Sequence, residues 1–266
     1  MDSLNLTPAE SLIFISPNSS GIEMIKITLL DLLLRRVLGV NVGEQESKFL
    51  KSHNKTILIS KGDITGLNLK PHEEILVDLI SNYSELELKE FAELIHYKIN
   101  SMKYKDGCIR DHLVDTGYLR RQRKMLLSLI PHTRYVLTDK GLEIKNKITN
   151  LLDEAKYLER WIKEDLGKAK AYLSVIGTHI LLLNVYDLED IKKFNKILSQ
   201  IKPESKPSNY FNYYLYSVPM DYLDENGDID SFDFIDMSVL DNFHSWNEFY
   251  SYFDTELDIA PGNEEE

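Results

Sequence analysis

Five basic side chains stand close together in one short stretch: Arg120, Arg121, Arg123 and Lys124 in "RRQRK", and Arg134 ten residues further on. Guanidinium and ammonium groups at such density do the chemistry of anion recognition. Arginine forks onto phosphate or carboxylate, and lysine acts as a point charge. From Gly117 to Gly141 the chain carries six Lys or Arg against a single acid, Asp139. Two readings compete. The cluster meets a phosphate-bearing surface, or it is a solvated hairpin edge whose charges keep strands from pairing with other chains. Successive residues of a strand face opposite sides, so "RRQRK" cannot all face one way on a strand, but can do so if it forms a bulging turn.

Other site chemistry finds little support. The seven histidines, at 53, 72, 96, 112, 132, 179 and 244, include no H-E-x-x-H or other tight ligand spacing. His179 lies in an apolar run and reads as a core histidine. The lone Cys108 cannot make an internal disulfide or a zinc cluster. A position near a helix start would lower its pKa, but nothing marks a partner base, and a buried thiol is the better reading. In "DYLDENGDIDSFDF", aligning Gly227 with the calcium-loop glycine puts Tyr222 where the first Asp ligand belongs. There is no P-loop, G-x-S-x-G or G-x-G-x-x-G. The expectation is a non-enzyme with no catalytic residues, metal or cofactor.

The net charge of −12 is unevenly distributed. Residues 203–266 carry 16 acids against Lys206 alone, a charge of −15, which leaves +3 on residues 1–202. The basic cluster therefore sits on a mildly basic body followed by a strongly acidic extension. That extension holds 14 of the 27 aromatic residues, more than a disordered tail would carry, so part of it should pack on the body. One cysteine fits a reducing compartment, and "MDSLNLTPAE" shows no signal peptide, so a cytoplasmic, non-secreted protein is expected. "IKITLLDLLLRRVLGV" is broken by Lys26, Asp31, Arg35 and Arg36, and "AYLSVIGTHILLLNVY" has only 16 residues. Both are short of a span and read as core helices.

The elements that must position these residues are mainly helical. In "NLTPAESLIFI", Thr7 caps a helix, Pro8 suits its first turn and Glu10 completes a capping box. "NLKPHEEILVDLI" repeats N-L-x-P-x-E 63 residues later, with Lys70 in place of the capping Thr. Ile25 to Leu38 reads as a helix and Asn54 to Ser60 as a strand. Pro71 to Ile80 reads as a helix. Ser84 and Glu87 read as the capping box of another, which lines up Leu88, Phe91, Ala92 and Ile95. "CIRDHLVDTGYL" is a third, stopped by Gly117. Met125 to Ile130 and Arg134 to Thr138 form a hairpin around Pro131 and Thr133. Thr138 caps a long helix through Ile144, Ile148, Leu151, Ala155, Leu158 and Ile162. Leu173 to Val185 and Ile191 to Leu198 are further helices, and "KPESKPSN" marks a boundary. The fold expected is mainly α with short β-hairpins. Two winged-helix-like units, at about 5–66 and 68–140, lead into a helical region within a domain of residues 1–202. An acidic, aromatic C-terminal segment, 203–266, follows.

In this order the segments resemble the Golgi phosphoprotein 3 family, peripheral Golgi proteins that bind phosphatidylinositol 4-phosphate, and their bacterial relatives. "LTPAESLIFI", "LLDLLLRRVLGV", "ISKGDITGLNLKPHEEILVDLI", "IRDHLVDTGYLRR", "LLSLIPHTRYVLTDKG" and "LLDEAKYLERWIKED" carry the resemblance, over roughly Leu6 to Tyr186. It implies a mainly helical, non-enzymatic domain with a lipid-headgroup pocket. That pocket uses a tryptophan, an arginine of the first unit and two arginines early in the helix that ends L-V-x-x-G. Here that helix carries Lys103 and Asp106, Lys26 lies near the first-unit position, and the first tryptophan is Trp161.

The candidate anion- or lipid-binding residues are therefore Lys26, Lys103, Arg120, Arg121, Arg123, Lys124 and Arg134. The partner expected is an anionic membrane surface or an acidic protein, with the acidic segment masking the basic patch; a homo-oligomer is compatible with this. Nucleic-acid binding through a winged helix ranks lower, because Asp106, Asp111 and Asp115 face Arg110 alone on the would-be recognition helix. A third reading is an immunity-type module whose acidic, aromatic segment occupies a basic partner.

Overall fold

The computed structural model describes residues 4–46, 53–126, 130–183, 251 and 253 of the 266-residue chain. It is mainly helical with small antiparallel sheets. Helix α1 (Pro8–Ile15) opens as its sequence dictates. Thr7 Oγ1 accepts the Glu10 N–H and Glu10 Oε2 accepts the Thr7 N–H, a complete capping box. Helix α2 (Gly21–Leu34) is capped by Ser20 and buried nearly all round. It starts earlier and stops earlier than its apolar run suggests, because Leu38 already belongs to strand β1 (Leu38–Glu46), an element the sequence did not announce. β1 pairs with β2 (His53–Lys61) from Leu38↔Lys61 to Glu46↔His53.

A second pass follows. Helix α3 (Pro71–Ile80) starts with Glu73 Oε2 accepting the Lys70 N–H, the half of a capping box that a Lys at the cap leaves intact. Ser84 does not cap the next helix. Leu86–Glu87 instead form a short strand, β3, on the edge of β2, and Glu87 is the N-cap of α4 (Leu88–Lys98). The face expected on α4 is observed: Leu88, Phe91, Ala92 and Ile95 are all buried. The third helix is split into a short α5 (Ser101–Lys103), a π-helical segment (Tyr104–Arg110) and α6 (Asp111–Asp115).

Strands β4 (Leu119–Leu126) and β5 (Ile130–Leu137) then form a two-stranded hairpin. This corrects two expectations. The basic run lies inside β4, not in a turn. Pro131 and Thr133 pair with Met125 and Arg123, so the reversal falls between Leu126 and Ile130. Thr138 caps α7 (Asp139–Glu154) as expected, but a 3-10 turn at Ala155–Tyr157 separates it from α8 (Leu158–Glu164). The last apolar stretch is likewise not one helix. α9 (Leu166–Ile176) ends at Gly177, whose positive φ of 51° passes the chain into a 3-10 turn, Gly177–Leu182. The Ile191–Leu198 helix, the 202–209 boundary and the calcium-like loop lie outside the described residues. Phe253 does not. It is buried in the common core.

The two passes share a local geometry. After α2, Arg36 takes a left-handed φ of 56°, its N–H bonds Leu33 O, and the Val37 N–H reaches Leu32 O. After α6, Gly117 at φ 78° and Tyr118 make the same pair of bonds to Val114 O and Leu113 O. Each hairpin then returns to this corner. The Gly62 N–H bonds Val37 O, and the Thr138 N–H bonds Tyr118 O. At each return a glycine passes so close that a Cβ would fall 2.1 Å from a carbonyl oxygen, Arg36 O for Gly62 and Tyr118 O for Gly141. Gly141→Ala should therefore destabilise the protein by on the order of 2 kcal/mol. Gly107→Ala, with nothing within 4 Å of the added Cβ, should gain about 0.5 kcal/mol by reducing unfolded-state entropy. Urea unfolding of both variants measures the contrast.

Candidate anion-binding hairpin and the buried polar centre

The β4–β5 register sorts the basic cluster onto two faces. Leu119↔Leu137, Arg121↔Tyr135 and Arg123↔Thr133 share one side; Arg120↔Val136 and Gln122↔Arg134 share the other. The register runs without a bulge, so the cluster does not converge as a block. Arg121 is engaged by the body. Its Nη2 lies 2.5 Å from Asp111 Oδ1 on α6, which also accepts the Tyr135 hydroxyl at 2.9 Å. Burial would raise the Asp111 pKa, but these hydrogen bonds outweigh it and hold the carboxyl below its ordinary value. Arg110 stacks over the Tyr135 ring, pairs with Asp106 at 2.8 Å and donates to Pro17 O. Asp111 and Arg110 thus clamp the hairpin to the π-helical segment and to the α1–α2 loop.

Arg120, Arg123 and Arg134 are exposed, and among the described residues none of their guanidinium groups has an ionic or hydrogen-bonding partner. Arg120 and Arg134 are diagonal neighbours on one face, roughly 7 Å apart in strand geometry. Lys124 pairs with His132 in the register. The other two candidates lie elsewhere. Lys26 is on α2 and the exposed Lys103 ends α5, two helices that touch where Gly21 meets Ser101. The hairpin packs on α6 and α7. Of the seven residues the sequence grouped, the fold makes Arg120 and Arg134 diagonal neighbours, leaves Arg123 on the other face, uses Arg121 as a clamp, sets Lys124 further along β4, and places Lys26 and Lys103 on other elements.

A second constellation was not visible as such in the sequence. The N-termini of α1 and α3 meet, with Thr7 Oγ1 3.0 Å from His72 Nε2. Beneath them Arg35, on the last turn of α2, reaches Asp31 at 2.8 Å and also pairs with Glu73. Glu10 stands beside them with His112 Nε2 at 3.5 Å. Tyr104 donates its hydroxyl to His72 O, and Ser11 Oγ lies 2.9 Å from His179 Nε2. Burial raises the carboxyl pKa of Glu10 and of Glu73; at Glu73 the Arg35 charge offsets it only in part. Burial pushes His72 down to about 3 and His179 to about 4, so both imidazoles are neutral.

Glu10, Asp31, His72 and Glu73 are at most 1% exposed. A substrate cannot reach such groups without opening the core, so the centre acts as a structural joint. Among the described residues no three His, Cys, Asp or Glu are arranged to hold a metal ion. Cys108, expected to be a buried thiol, is half-buried, and its partial burial together with nearby Asp111 raises its pKa. The signals that could have found the centre were present. Asp31 and Arg35 stand four apart inside an apolar run, and Glu10 and Glu73 occupy equivalent helix starts.

The fold and site together define a mainly helical protein that displays a basic hairpin. No known protein family, curated protein or solved structure matches the chain.

Two measurements test the joint. Arg35→Met removes the counter-charge of two buried carboxylates and should cost roughly 3–5 kcal/mol, with Glu73→Gln costing less. For His72 the folded pKa is depressed below 6.5, so its stabilising share is complete above that pH and is lost as pH falls toward 3. The stability advantage of wild type over His72→Gln should shrink by on the order of 1–2 kcal/mol between about pH 6.5 and 5. A constant difference in urea unfolding would reject this linkage.

Proposed function

We propose that this chain is a non-enzymatic peripheral-membrane or adaptor protein of the Golgi phosphoprotein 3 type. In this reading its two helix–helix–hairpin passes are winged-helix-like units. The β4–β5 hairpin meets anionic phospholipid headgroups, phosphatidylinositol 4-phosphate among them. The observation that carries the reading is the set of exposed arginines, Arg120, Arg123 and Arg134, with no internal partner among the described residues. Arg121 and Tyr135 bond Asp111, and Arg110 stacks on Tyr135, so the base of the hairpin that carries these charges is fixed to the body. No helix among the described residues is long and apolar enough to cross a membrane, so contact would be made from one side. The nucleic-acid reading loses ground, because Arg110, the one base on the would-be recognition helix, is spent on Asp106, Tyr135 and Pro17. The acidic extension, tethered by the buried Phe253, would compete with lipid for the hairpin.

Co-sedimentation with phosphatidylcholine vesicles, with and without phosphatidylserine or phosphatidylinositol 4-phosphate, tests this. Binding should need the anionic lipid and fall with salt. Each arginine near the surface is worth about 1 kcal/mol, about fivefold, so Arg120→Glu with Arg134→Glu should weaken binding by well over tenfold. Equal binding by the double variant, or no preference for anionic vesicles, overturns the proposal. In the same assay a chain ending before Pro203 should bind more tightly if the extension masks the hairpin; unchanged or weaker binding removes that part.

A further inference from the structure

We propose that the turn between α4 and α5 is a second membrane contact, one that inserts Tyr97 and Met102 into the lipid interface; this rests on the membrane reading above. These two are the most exposed large apolar side chains described, at 79% and 72%. They flank the Ile99–Asn100 link between the helices. From Leu94 to Lys105 the sequence contains no acid and three lysines. Lys98 Nζ lies 5.0 Å from the Tyr97 ring centroid, and Lys103 is exposed next to Met102. The flanking acids are each engaged on their own helix, Glu93 with Lys89 and Asp106 with Arg110.

The backbone beneath the turn is fixed. Asn100 Oδ1 accepts the Lys103 N–H at 2.9 Å, and Asn100 O accepts the Tyr104 N–H. Tyr104 is buried and bonded to His72 O, and Ile99 packs against the core. Lys105 is turned inward, donating to Pro17 O and Ser19 O. The lysines left facing outward are therefore Lys98 and Lys103.

An anionic bilayer is the occupant that fits. A stable protein interface needs about 800 Å² per partner, more than two side chains on a turn supply. A bilayer contact needs less: an aromatic ring with a polar tip, a flexible apolar chain to enter the headgroup boundary, and lysines to meet the anionic surface. The exposed arginines of the hairpin supply attraction, and this turn supplies apolar depth.

The test uses the full chain and phosphatidylcholine–phosphatidylserine vesicles. Tyr97→Ser with Met102→Ser alters only exposed side chains, so the circular dichroism and melting temperature should match wild type. Vesicle affinity should fall roughly tenfold, with the largest relative loss at high salt, where charge attraction is screened. In Tyr97→Trp, emission should shift to the blue and be quenched by brominated lipid beyond the wild-type background from Trp161 and Trp246. If anionic vesicles bind the serine variant as tightly as wild type, or leave the new tryptophan unquenched, the turn is not an anchor, while binding that remains sensitive to Arg120→Glu preserves the hairpin reading. If wild type binds no anionic vesicle, both readings fall together.

Discussion

The structure depends on a single guanidinium. Arg35 is buried at the end of α2, where it neutralises Asp31 on its own helix and Glu73 at the start of α3. Burying ions is unfavourable unless each finds a partner and hydrogen bonds satisfy what remains. Here the helix starts contribute. The Thr7 N–H bonds Glu10 and the Lys70 N–H bonds Glu73, so the capping chemistry that begins each helix also holds these two carboxylates, while Asp31 relies on the Arg35 charge.

Around that joint the chain makes the same crossing twice. A left-handed corner at Arg36 and at Gly117, and a tight return at Gly62 and Gly141, set each hairpin against the helix before it. The repeat in N-L-x-P-x-E is thus matched by a repeat in backbone geometry. The two hairpins have different surroundings. β1 and β2 take on β3 as a third strand, while among the described residues β4 and β5 pair only with each other. Among the described residues neither edge of the second hairpin pairs with a further strand, and basic residues at such positions also guard an edge against pairing with other chains. Edge protection and anion recognition place the same demand on these positions, which is why a basic run alone cannot distinguish them.

The polar contacts around the π-helical segment connect joint and surface. Tyr104 reaches inward to His72, Arg110 and Lys105 hold the α1–α2 loop, and Asp111 holds the hairpin. Side chains between Tyr104 and Asp111 thus reach three neighbours: α3, the α1–α2 loop and the hairpin. Charge exposed at Arg120 and Arg134 is therefore carried on a frame tied to the core.

Much was legible in the sequence where the physics is local. The Thr7, Thr138 and Gly117 caps, the α3 bounds, the apolar face of α4 and the burial of His179 follow from capping chemistry and periodicity. The unequal charge of body and extension is also a property of the sequence alone. Contacts between distant residues were decided only by the tertiary structure. Leu86–Glu87 became strand because β2 offered an edge, which overrode the Ser84 capping signal. Arg121 and Arg120 are neighbours of identical type, yet strand alternation sends one to Asp111 and the other to solvent. Asp31 and Arg35 looked like interruptions of an apolar helix, and their meaning depends on Glu73, which is 38 residues away and brought to them only by packing.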